Sequence, residues 1–320
     1  MIRALLVIFA VVASDSTLAQ AAFPSRPISM VVGFAPGGGT DITARIIAKK
    51  LGENIGQQVL VENRAGAGGN IATDLVARAT PDGHTILLGN VGSLTVAPHM
   101  VANLPYNPQR DLEPITLAVT FGNVLVVNPS MPAQTLADYL KLADAKPDTM
   151  GYGTSGIGGT GHLAGELLRS MSKASLVHVP YKGGGPAMAD LLGGQIPSAF
   201  ASAASAIPHI KTGKVRALAT TSPRRSPFLP SVPTIAESGY PGYEATNWYA
   251  YLAPGKTPRD IVARLNRELV KVLGAEDVLA QLAKSGMEAI PSTPEELARH
   301  IERELAVWGR VVREAGIKAQ

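Results

Sequence analysis

The chain of 320 residues has no cysteine. That absence removes disulfides, thiolate nucleophiles and cysteine-ligated metals together. Aromatic residues are scarce at 5%. No basic run interleaves with them, so the footprint of a nucleic-acid binder is missing. Charged residues make up 17% and the net charge is +4. This mild, scattered excess gives at most a weak field favouring small anions. His84, His99, His162, His178, His209 and His300 never stand at H-x-x-x-H spacing, and no H-E-x-x-H occurs. The sequence therefore offers no metal site and no cofactor site. After residue 22 no apolar run approaches the roughly 18 to 20 residues that span a bilayer.

Several catalytic and cofactor motifs are approached but not completed. "GYGTSG" at 151–156 and "GIGGTG" at 156–161 match G-x-G-x-x-G. A dinucleotide site also needs an acid about 20 residues on, where this chain reads "HVPYK". "AYLAPGKT" at 250–257 nearly matches a P-loop, but Ala250 replaces the first glycine and Pro254 removes an N–H. Gly255 and Thr257 are better read as a turn and a helix cap, with Pro258 at the first helical position and Asp260 in the first turn. No G-x-S-x-G elbow exists. Ser155 with His162 or His178 could imitate a nucleophile and base, yet neither histidine has an identifiable orienting acid.

What the chain has is 33 glycines and 46% hydrophobic residues, enough for a substantial core. The first segment is set apart. Arg3, the apolar stretch Ala4–Ala13 and Ala19-Gln20-Ala21 fit a secretory signal peptide over 1–22. Beyond it, strand-like and helix-like segments alternate, which predicts an α/β fold. Strands are expected at 28–34, 59–63, 84–90, 115–120 and 123–127. Helices are expected at 41–51 and 70–79. The alternation then restarts, with helices at 136–145, 161–171 and 186–192 and strands at 150–154, 176–181, 195–200, 215–221 and 246–254. The proline-rich stretch 222–242 reads as loop. Thr293 and Glu296 form a capping box, and the helix after it aligns Leu297, Ile301, Leu305, Trp308 and Val312 as a core stripe.

One junction recurs: a strand ends in glycine and a helix begins. It occurs at Pro36–Thr40, Ala65–Asn70, Gly153–Gly161 and Lys182–Gly185. A helix start leaves free N–H groups and a partial positive charge, which suits an anion. In open α/β sheets such loops gather at the carboxyl ends of the strands. The series predicts amide-lined loops sharing one cleft. The first loop, "GFAPGGGTD", contains no lysine, so reversible capture of a carboxylate fits better than phosphate chemistry. Thr40, Thr154, Ser155 and Thr160 add hydroxyls. Lys182 either adds charge or points into solvent. Asp41 would repel an anion, and its expected role is to stabilise the helix start.

The stretches "PSRPISMVVGFAPGGGTDITAR", "VENRAGAGGNIATDLVARATPDGHTILLGN", "YGTSGIGGTGHLAGE" and "VPYKGGGPAMADLLGGQI" resemble the Bug-type receptors of tripartite tricarboxylate transporters. The resemblance runs from about Phe23 to Ile317. It implies a two-lobed periplasmic-binding-protein fold of the Venus-flytrap kind, type II, with the ligand between lobes. Lobe 1 would comprise 23–120 plus 246–320, and lobe 2 residues 121–245. It implies a periplasmic, non-enzymatic receptor that captures a small carboxylate and delivers it to large and small membrane subunits. A sensing role toward a membrane signalling partner is the alternative, and a secreted serine hydrolase using Ser155 and His162 is a remote one. Carried onto this chain, the ligand-binding residues are Phe34, Ala35, Gly37, Gly38, Gly39, Thr40 and Asp41, then Gly66, Gly68 and Asn90. From the central part come Thr154, Ser155, Gly158, Gly159, Thr160, Tyr181, Lys182 and Gly183. His162 fits the motif but could face inward. Asn247 and Trp248 fall near the second crossing, as hinge or cleft residues. "NWYAYLAPGKTP" departs from the family pattern after the tryptophan, so Tyr249 and Tyr251 are candidates to reshape the cleft wall.

Overall fold

The structure is a computed structural model that describes residues 23–147 and 149–314. The signal-peptide segment 1–22 lies outside the described residues.

The first half opens with β1 (Ile28–Val32), α1 (Gly39–Ile55), β2 (Val59–Asn63), α2 (Asn70–Ala77), β3 (Thr85–Asn90) and the short α3 (Ala97–Met100). β1 pairs in parallel with both β2 and β3. β1 and β3 are almost wholly buried, which matches their continuous apolar runs. A 16-residue strand, β4 (Leu112–Val127), follows. The sequence suggests two separate strands here, at 115–120 and 123–127. They are one because Phe121 and Gly122 stay extended and keep their pairs, Asn247 and Thr246.

Next come α4 (Leu136–Ala145), β5 (Met150–Thr154), α5 (Thr160–Ser172), β6 (Leu176–Pro180), α6 (Gly184–Leu192), β7 (Ser198–Ser202), α7 (Ala203–Lys211) and β8 (Arg216–Thr220). α7 is absent from the sequence reading. Its alanine-rich turn lacks a strong apolar period, and Pro208 inside it reads as a breaker. Ser202 nevertheless caps it, its hydroxyl accepting from Ser205 N–H. The chain returns through β9 (Thr246–Pro254), α8 (Arg259–Leu273), α9 (Glu276–Lys284), β10 (Glu288–Ala289) and α10 (Pro294–Glu314). α8 starts one residue later than expected, after Pro258. Thr257 is not its cap, because its hydroxyl donates to the Pro254 carbonyl at 2.7 Å. The capping box at Thr293 and Glu296 is present.

The strand order is β2-β1-β3-β9-β4-β7-β5-β6. Residues 112–122 of β4 pair with β9, while Asn123–Val127 pair with β7. The one strand thus serves two sheets. Each sheet is covered on both faces. α1, α8 and α9 pack on one face of the first around Ile47, Leu88 and Leu269. α10 covers its other face around Trp248, Leu297, Ile301, Trp308 and Val312, as the core stripe requires. α4 and α5 cover one face of the second sheet, and α6 and α7 the other.

Candidate functional site

Four helices begin around one enclosed cavity. Gly38, Gly39 and Thr40 reach it from the start of α1, Gly159 and Thr160 from α5, Gly184 from α6 and Ser202 from the cap of α7. α1, α5 and α6 start on glycine caps, and no side chain accepts a hydrogen bond at those caps. Their first-turn amides and dipoles therefore favour negative charge in the cavity. The rest of the wall is neutral. Asn90, Asn123, Thr154, Ser155, Asn247 and Tyr249 supply polar groups, and Phe34, Met188, Ala199 and Phe200 supply an apolar side. Its lining contains no Lys, Arg, His, Asp or Glu. The cavity volume is about 30 Å³, room for a water or two.

The cavity is small because the two sides meet directly, backbone to backbone. Ala35 N–H donates to the Lys182 carbonyl at 2.9 Å. A β-carbon at Gly185 would lie 2.3 Å from the Pro36 oxygen, and one at Gly183 would lie 2.8 Å from the Ala35 nitrogen. On the other flank, a β-carbon at Gly68 would lie 2.3 Å from the Ile157 oxygen. Only glycine permits approaches of this kind.

The structure sorts the candidate residues into groups. Phe34, Gly38, Gly39, Thr40, Asn90, Thr154, Ser155, Gly159, Thr160 and Asn247 line the cavity. Ala35, Gly37 and Gly183 stand just outside it, at the contact between the two sides. Gly68 and Gly158 line a separate groove of about 150 Å³, and Gly66 packs against Ile71. Lys182 is exposed, and only its carbonyl takes part in the contact. Tyr181 donates its hydroxyl to Asp190 at 2.7 Å; burial first, then Asp190, pushes its pKa up to about 12. Trp248 faces the α10 core and donates its indole N–H to Glu304 at 3.1 Å.

Asp41 is buried beside the cavity but turned away from it. Its carboxylate accepts from Gly37 N–H at 3.0 Å, from Arg45 at 3.0 Å and from Asn63 at 3.0 Å. Burial pushes its pKa up, yet these partners together hold it below the ordinary carboxylate range. Its charge is thus answered before any ligand arrives.

His162 and His178 stack beneath the second loop with ring centroids 4.0 Å apart. His162 Nδ1 accepts from Gly158 N–H at 3.2 Å, and His178 Nε2 shares a hydrogen bond with the Thr154 hydroxyl at 2.7 Å. Burial lowers both, with His162 adding to the effect on His178, which falls to about 3. The pair is neutral at neutral pH and holds the loop that carries Thr154 and Ser155. Its loop-facing nitrogens are engaged by Thr154 and Gly158, not by Ser155.

Tyr249, a sequence candidate to reshape the cleft wall, lines the cavity, whereas Asn123, Ser202, Met188 and the segment Ala199–Ala201 are wall residues that the sequence did not put forward. Asn123 follows Gly122, where the reading placed a break. Ser202 and Ala199–Ala201 depend on seeing α7 begin. Ser202 before an alanine-rich turn, with Ser205 three residues on, was the available signal. Tyr249 and Tyr251 both pack into the core cluster of the first sheet, but of the two only Tyr249 also lines the cavity.

The arrangement is a small cavity shut between two sheets with their helices and lined by helix starts. It fits a solute-binding protein, and comparison with known proteins agrees. The family described as "Tripartite tricarboxylate transporter family receptor" matches residues 43–317. The chain belongs to that family of receptors. Among solved structures, it is similar to the periplasmic binding protein BugD at 36% identity, with a TM-score of 0.90, over 93% of this chain and 100% of that one. It is similar to the R. palustris protein Rpa4515 with adipate at 36% identity, TM-score 0.89, over 92% and 99%. It is also similar to MatC from Rhodopseudomonas palustris with bound malate at 33% identity, TM-score 0.87, over 91% and 100%. The fold is that of the periplasmic binding proteins, as the sequence resemblance implies. Among the described residues no helix is long and apolar enough to cross a membrane.

Proposed function

We propose that this protein is an exported receptor that captures a small carboxylate between two lobes and hands it to the membrane subunits of a tripartite transporter. It performs no chemistry on the ligand. The supporting observation is the convergence of four helix starts on a cavity without a charged side chain. Amides held in place by the fold satisfy carboxylate oxygens without the reorganisation that mobile cations require. The adipate and malate bound by its relatives belong to the same chemical class.

The lobes are residues 23–120 with 246–320, and 121–245. The change of pairing partner along β4 and the start of β9 at Thr246 support this division. Ligand contacts to both lobes exist only when the cleft is shut, so ligand shifts the equilibrium toward closure. The shut form is the one presented to the membrane subunits. Thr40, Thr154, Ser155 and Thr160, with the amides of Gly38, Gly39 and Gly159, are the ligand contacts. Removal of residues 1–22 on export places the receptor in the periplasm.

Isothermal titration with a panel of mono-, di- and tricarboxylates tests this. At least one acid is expected to bind with a Kd in the micromolar range or below and to raise Tm. Failure of every acid to bind would refute the reading.

A further inference from the structure

The two relatives with ligands raise a question for this chain, since adipate carries only carboxylates and malate adds a hydroxyl. We infer that this cleft is built for a hydroxy-substituted carboxylate, and that Asn247 reads the hydroxyl. The inference rests on the carboxylate reading above.

Helix starts are donors, so they recognise the acceptor oxygens of an acid and nothing else. An acceptor in the wall asks for a ligand donor. Of the three asparagines in the wall, two are engaged. Asn90 Oδ1 accepts from Ser93 N–H at 3.2 Å, and Asn123 Nδ2 donates to the Thr160 hydroxyl at 3.2 Å. Asn247 is different. The residue is 7% exposed, and its Oδ1 is buried without a hydrogen-bond partner. Strand alternation aims it correctly: on β9, Trp248 faces the α10 core while Asn247 and Tyr249 face the cavity. β9 is paired with β4 at Asn247 and with β3 from Tyr249 onward, so the register of the strand keeps Asn247 on the cavity side. A buried acceptor left unmet is costly, and a plain alkyl dicarboxylate would leave it so.

The donor is a hydroxyl rather than an ammonium. An ammonium shut in this cleft needs a carboxylate partner, and the lining provides none. Asp41, the nearest buried acid, is already committed to Arg45, Asn63 and Gly37. The apolar side, Phe34, Met188 and Phe200, suits the methylene groups of such an acid.

The test is titration with matched sets: lactate, propionate and alanine; malate, succinate and aspartate; 2-hydroxyglutarate, glutarate and glutamate. In the set of the best-fitting length, the hydroxy acid is expected to bind at least tenfold more tightly than its unsubstituted partner, with the amino acid weakest. Asn247→Leu, close in volume but without an acceptor, is expected to bring the hydroxy-to-unsubstituted ratio to within about threefold. Asn247→Thr, which restores an oxygen, serves if the leucine variant does not fold. Equal or tighter binding of the unsubstituted acid would overturn this inference while leaving the carboxylate reading intact. So would an unchanged ratio in the variants. Binding by none of the nine compounds would overturn this inference, and failure of the whole panel of mono-, di- and tricarboxylates would overturn the carboxylate reading as well.

Discussion

Gly185 shows how one hydrogen atom in place of a methyl permits a close backbone approach across the cleft. It lies in the first turn of α6, where alanine is the better helix former. An alanine there would nevertheless put its β-carbon 2.3 Å from the Pro36 oxygen across the cleft. Gly185→Ala is therefore expected to leave Tm within a few degrees of the parent while weakening ligand at least tenfold, because closure is blocked. Titration beside a melting curve separates the two effects. Loss of stability with unchanged affinity would refute the assignment. The stacked histidines make a second residue-scale prediction. Burial depresses both below the ordinary imidazole value, His178 to about 3. Above about pH 6.5 both are neutral folded or unfolded and contribute no pH dependence. Below it the unfolded chain takes up protons that the folded chain refuses, so stability falls as pH falls toward the folded values. Melting between pH 7 and pH 5, before most carboxylates titrate, is expected to show this loss. His178→Gln is expected to reduce it.

At the scale of the element, α10 is tied to β9 by one carboxylate. Glu304 accepts from both indoles, Trp248 at 3.1 Å and Trp308 at 3.0 Å, and the chain has only these 2 tryptophans. Glu304→Ala leaves two largely buried N–H groups unmet, a loss of about 1–3 kcal/mol. It should appear as a lower denaturant midpoint and an altered tryptophan emission. The stripe from Leu297 to Val312 was legible because a 3.6-residue period survives any context. The partner of that stripe was not, since Trp248 sits in a strand whose facing depends on register. The same division holds at the cleft. Glycine-ended strands and helix starts are local chemistry, so three of the four helices whose starts now line the cavity could be marked in advance. The fourth, α7, was hidden by alanine and Pro208. Which glycines line the cavity and which meet the opposite loop was not legible, because a close approach is a property of two segments distant in sequence. Gly68 and Gly183 look like Gly38 in the sequence; only the position of Ile157 and Ala35 separates them. Asp41 carried a readable signal in Arg45, four residues on, which explains how a carboxylate can stand at the head of an anion-favouring helix.

For the whole molecule the decisive quantity is the cavity volume, about 30 Å³. A hydrated dicarboxylate cannot pass the Ala35–Lys182 contact without the halves separating. The proposed lobes share β4 and β9, and the residues where partners change, Gly122 and Asn123 on one strand and Thr246 on the other, are the pivot that the capture reading requires. Gly122 carries no side chain, and the proline-rich segment 222–242 that precedes β9 is tied to β8 through the Thr220–Thr234 bridge. Opening there separates the glycine contacts, the Ala35–Lys182 hydrogen bond and the apolar contacts of Leu163 and Ala204 with the first half, while the core clusters otherwise draw on a single sheet each. Small-angle scattering in solution reads the outcome directly. Saturation with the best-binding acid is expected to reduce the radius of gyration of the parent protein. The Gly185→Ala variant, held apart at the Pro36 contact, is expected to keep the larger radius at the same ligand concentration and at concentrations that saturate it. A ligand-independent radius in the parent would mean that the halves do not move, and the capture mechanism would fail with it.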